Sequence, residues 1–161
     1  DYALHLMLTQ NVTDAAMAEL PEVISGGIAS FKMFTTFAEG SASGNLLSDD
    51  GVIWGVMNAA ERAGGVVMVH AEDNCIINFN TRRLYAEGRE AGRNIHLARP
   101  PLAEEAAIRR MILLAERSGC PLYVVHVSSA PGATAIAEAR SRRGAGFCPF
   151  VLNYLSPTNE K

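Results

Sequence analysis

Two histidines follow apolar runs of the same length. His70 closes the stretch VVMVH and His126 closes LYVVH, so each ring comes after four consecutive apolar residues. Such short runs are typical of buried strands, and a neutral imidazole nitrogen is the commonest protein ligand for zinc-like metals. A single histidine at a strand end is more often structural, but two in the same setting favour a shared metal site.

A lysine lies in a third apolar run. Lys32 is part of the segment FKMF, in a stretch that begins at Ile28 after two glycines. Lysine is almost never fully buried without a partner, because a buried, unpaired ammonium costs several kcal/mol. Lys32 therefore either points to solvent from a half-exposed strand or lies at a strand end and takes part in chemistry. The segment by itself leaves both interpretations open.

The residues around these side chains alternate between strand and helix patterns. Strands are predicted over residues 2–8, 28–34, 66–70, 122–126 and 145–150, the first of them buried. Helices are predicted over residues 13–25, 50–64, 73–87, 102–117 and 133–142, with Glu104 and Glu105 in the first turn of the fourth. Continuous apolar strands separated by helices are typical of a parallel sheet covered on both faces. Doubly wound sheets and (β/α)₈ barrels share this pattern, and the sequence contains neither GxGxxG nor GxxxxGK[ST].

Composition limits the classes of function. The 161 residues suffice for about one domain with a sizeable core, since 48% of them are hydrophobic. A net charge of −3 and a pI near 5.8 give no basic surface for nucleic acid or an anionic membrane. Three cysteines without paired spacing favour a reducing cytoplasm, and no apolar run is long enough to span a bilayer. Because the chain starts at Asp1 and enters an apolar run at once, we expect it to be an internal piece of a longer protein.

Four strings in the sequence resemble the hydantoinase/dihydropyrimidinase branch of the cyclic amidohydrolases. They are FKMF, VHAEDN, HLARPPLAEEAAIRR and PLYVVHVSS, and their order and spacing also agree with that family. The weaker matches DYALHLML and NYLSP extend the resemblance over nearly the whole chain. The resemblance implies a (β/α)₈ barrel, of which residues 1–161 would form a partial catalytic domain supplying about half.

The resemblance also implies roles for individual residues. Lys32 matches the lysine that CO₂ carboxylates in this family, so that it bridges two divalent metal ions, usually zinc. His70 and His126 match ligands of the second ion. The remaining ligands of the other ion, a His-x-His pair and an aspartate, are expected to lie outside this chain.

The implied activity is hydrolysis of a C–N bond in a cyclic amide or imide, such as a hydantoin or a dihydropyrimidine. A hydroxide that bridges two metals is nucleophilic at neutral pH and attacks the ring carbonyl. Allantoinase and dihydroorotase are alternatives with the same metal chemistry, and some relatives of dihydropyrimidinase are non-catalytic assembly proteins. Retention of Lys32 and both histidines favours an enzyme. Family members are commonly homotetramers, and we expect the chain alone to be inactive because half of the ligands are missing.

The sequence departs from the family at two places that bear on the substrate. Hydantoinases usually have a tyrosine five residues after the bridging lysine, and its hydroxyl polarises the substrate carbonyl; this chain has Phe37 there. Tyr154 matches the family's Tyr-Leu pair, although residues 149–153 before it differ from the usual pattern. Phe37 and Tyr154 are the predicted substrate contacts. Of the other histidines, His5 is predicted to be packed or hydrogen-bonded in the core, and His96 to be a structural loop residue.

Overall fold

The computed structural model describes residues 3–38, 44–143 and 150–153. Its strands are β1 (Leu6–Met7), β2 (Ser30–Phe34), β3 (Val66–His70), β4 (Leu122–Val127) and β5 (Phe150–Asn153). Its helices are α1 (Asp14–Ser25), α2 (Asp50–Ala63), α3 (Asn74–Ala86), α4 (Ile95–Ala98), α5 (Pro101–Ser118) and α6 (Ala130–Arg143), with a 3₁₀ turn at Gly92–Asn94 before α4. The predicted alternation of strands and helices is confirmed.

Two strands differ from their predictions. The first was expected to be buried over residues 2–8, and this is wrong, because β1 is short and the side chains of Leu4 and Met7 are 62% and 52% exposed. Among the described strands β1 pairs only with β2, so no strand flanks its other edge. The last strand begins at Phe150, where the predicted one ends, and residues 145–149 of that prediction lie outside the described part.

The order of the strands in the sheet identifies the kind of α/β fold. All four pairings are parallel, and the spatial order β1-β2-β3-β4-β5 is the order along the chain. A doubly wound sheet reverses its strand order at a switch point, whereas a (β/α)₈ barrel adds each strand beside the previous one. The chain therefore has the architecture of consecutive βα units from part of a (β/α)₈ barrel, as expected.

The two faces of the sheet have different surroundings. Side chains at alternate positions of the three central strands are almost fully buried, none more than 1% exposed: Phe31, Met33, Val67, Val69, Leu122 and Val124. They pack in one core with the inner faces of α2 and α5. The intervening positions, which include Lys32, Met68 and Tyr123 side by side in register, are only partly buried. In the described part, helices therefore cover one face of the sheet. The expectation that helices cover both faces is not met there.

Local sequence sets where the helices begin and end. Thr13 and Asp49 each accept a hydrogen bond from a backbone N–H three residues on, at 3.1 and 2.9 Å, and so cap α1 and α2. Gly64 and Gly119 end α2 and α5 with φ values of 80° and 79°, a left-handed conformation that glycine adopts without a Cβ clash. No helix in the described part combines the length and apolar composition needed to cross a membrane.

Candidate metal and active site

The three predicted ligands lie on neighbouring parallel strands. Lys32 is in the middle of β2, His70 is the last residue of β3 and His126 is the next to last of β4. The register pairs Lys32 with Met68, two residues before His70. At the rise of a strand, Lys32 therefore lies about 7 Å deeper along the sheet than His70. Both are on the face that the described helices leave open.

A β-bulge turns His126 towards His70. Strict alternation after Leu122 and Val124 would place residue 126 on the helix-covered face, yet it is Val127 that is buried there, at 4% exposure. The register of β4 with β5 shifts between Val124 and Val127, and His126 has a φ of 40°. A bulge of this kind re-aims one side chain and is common beside active sites. Sequence periodicity alone could not indicate it, because the apolar run LYVVHV has no visible break.

The bulge brings the two imidazoles together. The Nδ1 atom of His70 lies 3.0 Å from the Nε2 atom of His126, and the ring centroids are 4.6 Å apart. Two nitrogen ligands of one tetrahedral zinc ion lie about 3.3 Å apart, given Zn–N bonds of about 2.0–2.1 Å. The two atoms therefore fit a shared ion after a small outward movement. The described residues contain no group of three or more His, Cys, Asp and Glu side chains that could hold a metal by themselves.

The protonation of His126 also suits a ligand. Burial is the largest cause that lowers the pKa of His126, and the neighbouring His70 and Lys32 lower it further. The neutral ring, which is the form that binds metals, is therefore favoured at neutral pH.

Glu72 and Arg99 complete a chain of contacts around His70. The Nε2 atom of His70 lies 2.6 Å from the carboxylate of Glu72, and Arg99 donates a hydrogen bond to the same oxygen. Burial by itself raises the pKa of Glu72, but the hydrogen bond from His70 and the charge of Arg99 outweigh burial and hold that pKa below its usual value. Glu72 lies in the string VHAEDN and Arg99 in HLARPPLAEEAAIRR, and neither residue was predicted to have a role. The position of Glu72 two residues after a candidate ligand was the available signal.

Lys32 is half-buried and forms no ion pair with any residue that the structure describes. Burial lowers the pKa of Lys32 from 10.5 to about 8. Its Nζ atom lies 4.0 Å from the centroid of the Phe34 ring and 3.4 Å from the carbonyl oxygen of Met33. The expected position at a strand end is wrong, since Lys32 lies in the middle of β2, and its side chain is on the partly buried face that the two histidines share.

Phe37 is beside His70 in a strained conformation. Its ring centroid is 5.0 Å from that of His70, and the guanidinium carbon of Arg99 lies 4.9 Å from the centre of the Phe37 ring. Its φ is 66°, which is rare for a bulky side chain and costs about 1–3 kcal/mol. Strain of this size is typical of functional sites, and this position agrees with the predicted role of Phe37 as a substrate contact without testing it.

A cavity of about 460 Å³ opens next to this group. Phe37 and Arg99 line the cavity, together with Asn74, Asn78 and Thr81 of α3. The site therefore has an adjoining space of a size suited to a small molecule.

The other predicted site residues lie apart from this group. Tyr154 falls outside the described residues. His5 is exposed, so the prediction of a core position is wrong, although its Nδ1 atom does form a hydrogen bond with Ser30. His96 belongs to α4 and not to a loop, and it is exposed.

Glu104 holds the turn that follows His126. Its carboxylate accepts hydrogen bonds from the backbone N–H groups of Ser128 and Ser129, at 2.8 and 2.7 Å, and from the Ser128 hydroxyl at 3.0 Å. The Glu104 side chain is nearly buried, with 9% of the residue exposed. This clamp fixes the backbone directly after the bulge and so supports the orientation of His126.

Comparison with known proteins gives one consistent group of relatives. The chain is 39% identical over 143 residues to a D-hydantoinase of Geobacillus stearothermophilus, covering 88% of this chain and 29% of that protein. It is 35% identical over 149 residues to an allantoinase of Rubrobacter xylanophilus, covering 92% of this chain and 32% of the allantoinase. No protein-family model matches the chain.

Solved structures give the same picture. A crystal structure of a D-hydantoinase superposes with a TM-score of 0.79 at 38% identity, covering 88% of this chain and 30% of the other. A dihydropyrimidinase from Brevibacillus agri superposes with a TM-score of 0.81 at 35% identity, with the same coverage. The chain thus spans about a third of the length of the relatives that it matches.

Proposed function

The chain belongs to the hydantoinase/dihydropyrimidinase family, and from that premise we propose that the full-length protein containing it hydrolyses a C–N bond in a cyclic amide. The substrate is a hydantoin- or dihydropyrimidine-like ring, and the reaction depends on two divalent metal ions, zinc in the first instance. One observation carries this proposal. His70 and His126, at the ends of adjacent strands, present two nitrogen atoms 3.0 Å apart.

Three residues of this chain would hold the metals. His70 and His126 would bind one ion, and Lys32, once carboxylated, would bridge it to a second ion whose remaining ligands lie outside this chain. When bound, the ions would supply an activated water molecule and polarise the carbonyl of the ring amide. The half-buried surroundings of Lys32 support its role, because burial disfavours the ammonium and so favours the neutral amine that reacts with CO₂.

The lowered pKa of Lys32 supports its carboxylation. The neutral amine attacks the carbon of CO₂ and forms an N–C bond. One proton leaves to solvent, and the product is a carbamate anion. With a pKa of about 8, the neutral amine is about a tenth of the total at pH 7, whereas at the ordinary pKa it is well under a thousandth. The anion then suits a position between two cations better than an ammonium does.

An allantoinase-type activity is the second candidate. The sequence similarity to allantoinases supports it. The metal ligands are the same in both proposals, so the two differ in the ring that is bound. A non-catalytic assembly role is disfavoured, because such a protein would keep the half-buried Lys32 without benefit.

The full-length protein is proposed to contain a complete barrel. A (β/α)₈ barrel takes about 250 residues, and this chain spans about a third of the length of its relatives. Residues 1–161 would accordingly form part of one catalytic domain and be inactive alone. Assembly as a homotetramer and a location in the cytoplasm are proposals that rest on the family resemblance and the cysteine content.

Metal analysis of the full-length protein tests the proposal. We expect about two zinc-like ions per chain, together with hydrolysis of hydantoin, dihydrouracil or allantoin, and loss of activity after dialysis against a chelator. Readdition of zinc should restore the activity. A well-folded protein that binds no divalent metal would contradict the proposed function.

The variant Phe37→Tyr tests the missing hydroxyl. Tyrosine has the same ring and the same conformational strain, so we expect folding to be unchanged. A hydrogen bond to the substrate carbonyl in the transition state should raise kcat/KM on a hydantoin by about five- to tenfold. The control is Phe79→Tyr, which adds a hydroxyl to a residue of α3 that is 60% exposed. An unchanged or lower kcat/KM would show that another group already fills the role, and would favour a different substrate ring.

A further inference from the structure

One nitrogen of His70 faces His126, and the other is held by a carboxylate. The Nε2 atom lies 2.6 Å from Oε2 of Glu72, a distance that requires the ring to donate its proton there, because an ionised carboxylate only accepts. The proton is therefore on Nε2, and the lone pair of Nδ1 points to the place that Nε2 of His126 also faces. The hydrogen bond thus selects the tautomer of His70 that can bind a metal through Nδ1.

Glu72 is itself held from two sides. The side chain of Arg99 donates a hydrogen bond to the same carboxylate oxygen, and the Glu72 side chain is only 17% exposed. The backbone is fixed as well, because the N–H of Glu72 donates to the hydroxyl of Thr35 at 2.9 Å, and that hydroxyl is 2.8 Å from the carbonyl oxygen of Glu72. Thr35 is 2% exposed and follows the end of β2. The carboxylate therefore has little freedom to leave His70.

We propose that Glu72 is a positioning residue that fixes the tautomer and ring orientation of His70, and that Arg99 holds Glu72 in place. This inference rests on the proposed metal-dependent function. Glu72 acts through His70, because its carboxylate is bonded to Nε2 and the nitrogen that faces His126 is Nδ1. Carboxylates that accept from the far nitrogen of a ligating histidine raise metal affinity, and their loss typically costs about 10–100-fold.

The alternative is that Glu72 serves only as the ion-pair partner of Arg99. The two roles predict different results for substitutions of Glu72. An amide oxygen can still accept from Nε2 of His70 but no longer offers a charge to Arg99, whereas alanine offers neither. The positioning role therefore predicts that Glu72→Gln retains more metal affinity than Glu72→Ala, and the ion-pair role predicts that both variants behave alike.

The experiment measures zinc affinity in the full-length protein by competition with a chromophoric chelator. We expect affinity to fall about 10–100-fold in Glu72→Ala and less than about tenfold in Glu72→Gln, with the Tm of the metal-free protein unchanged. Arg99→Met should weaken zinc binding by a smaller factor, and it should add nothing in the Glu72→Ala background, because Arg99 acts through Glu72. The matched control is Glu87→Gln, which removes a carboxylate paired with Arg89 on the exposed surface.

Two results would overturn the inference. One is a zinc affinity in Glu72→Ala that is within twofold of the affinity of the parent protein. The other is an equal loss of zinc affinity in Glu72→Ala and Glu72→Gln, together with a lower Tm of both variants in the metal-free form. Either result in a parent that binds zinc and hydrolyses a cyclic amide would leave the proposed function standing. A parent that binds no zinc would overturn the inference and the proposed function together.

Discussion

Replacing Lys32 with alanine is expected to remove metal from the full-length protein and to lower kcat/KM on a cyclic amide by at least about 1000-fold. The reason is the loss of the proposed bridge between the two ions, which no other described side chain near Lys32 can replace. Short carboxylic acids such as propionate should restore part of the metal content and activity, because they supply the missing oxygen ligands in the space that alanine leaves. Metal content by elemental analysis and kcat/KM with and without the acid are the measurements.

The chain offers a clean control and a direct probe. Lys32 and Lys161 are the two lysines of these 161 residues, so Lys161→Ala changes the other lysine of this chain and serves as the control. After incubation with ¹³C-labelled bicarbonate, the carbamate ¹³C signal of Lys32 should be present in the parent protein and in Lys161→Ala. The same signal should be absent from Lys32→Ala. Full metal content in Lys32→Ala without added acid would contradict the bridging role.

The lowered pKa of Lys32 predicts that the stability of the metal-free, uncarboxylated protein depends on pH. Its pKa is lowered by burial to about 8, so folding disfavours the charged amine. The penalty is fully present below about pH 8 and disappears as the pH rises to 10.5, the unfolded value. Lys32→Met, which keeps the apolar stem, should therefore stabilise this form by about 1–2 kcal/mol at pH 7, and the gain should shrink between pH 8 and 10.5.

The sequence predicted the fold well where local signals and burial agree. β3 has the predicted limits, since Val66–His70 is a short apolar run between a double glycine and a polar helix. α1 and α2 begin within one residue of their predicted starts, because Thr13 and Asp49 satisfy backbone N–H groups locally. β1 was predicted badly, because its extent depends on which strands flank it and its own sequence does not record this.

The candidate site was predictable in its residue types and not in its geometry. Apolar runs that end in histidine indicated the strand ends at His70 and His126. The left-handed backbone at His126, which moves its ring to the face of His70, comes from the packing of Val127 into the core and from the clamp of Glu104. Glu72 was missed for a similar reason, since its partner Arg99 is 27 residues away in the sequence.

Glu104 and Glu105 were both predicted to lie in the first turn of the fourth helix, and the structure separates their roles. Glu105 is on the surface, where its carboxylate lies 2.9 Å from Arg109. Glu104 accepts three hydrogen bonds from Ser128 and Ser129 and has almost no contact with solvent. Both residues lie near the start of the same helix, so they form a matched pair of test sites.

We expect Glu104→Ala to lower the free energy of unfolding by about 3 kcal/mol, because it removes the nearly buried acceptor of three hydrogen bonds from Ser128 and Ser129 and opens a small void. Glu105→Ala should cost at most about 1 kcal/mol, as is usual for an exposed ion pair. Glu104→Gln should fall between the two, because one amide oxygen can replace only one of the two carboxylate oxygens. Urea unfolding of the metal-free full-length protein measures all three values. Because the clamp also fixes the turn after His126, zinc affinity should fall in Glu104→Gln and remain unchanged in Glu105→Ala. Equal stability and equal zinc affinity in the Glu104 and Glu105 variants would show that Glu104 does not hold this turn.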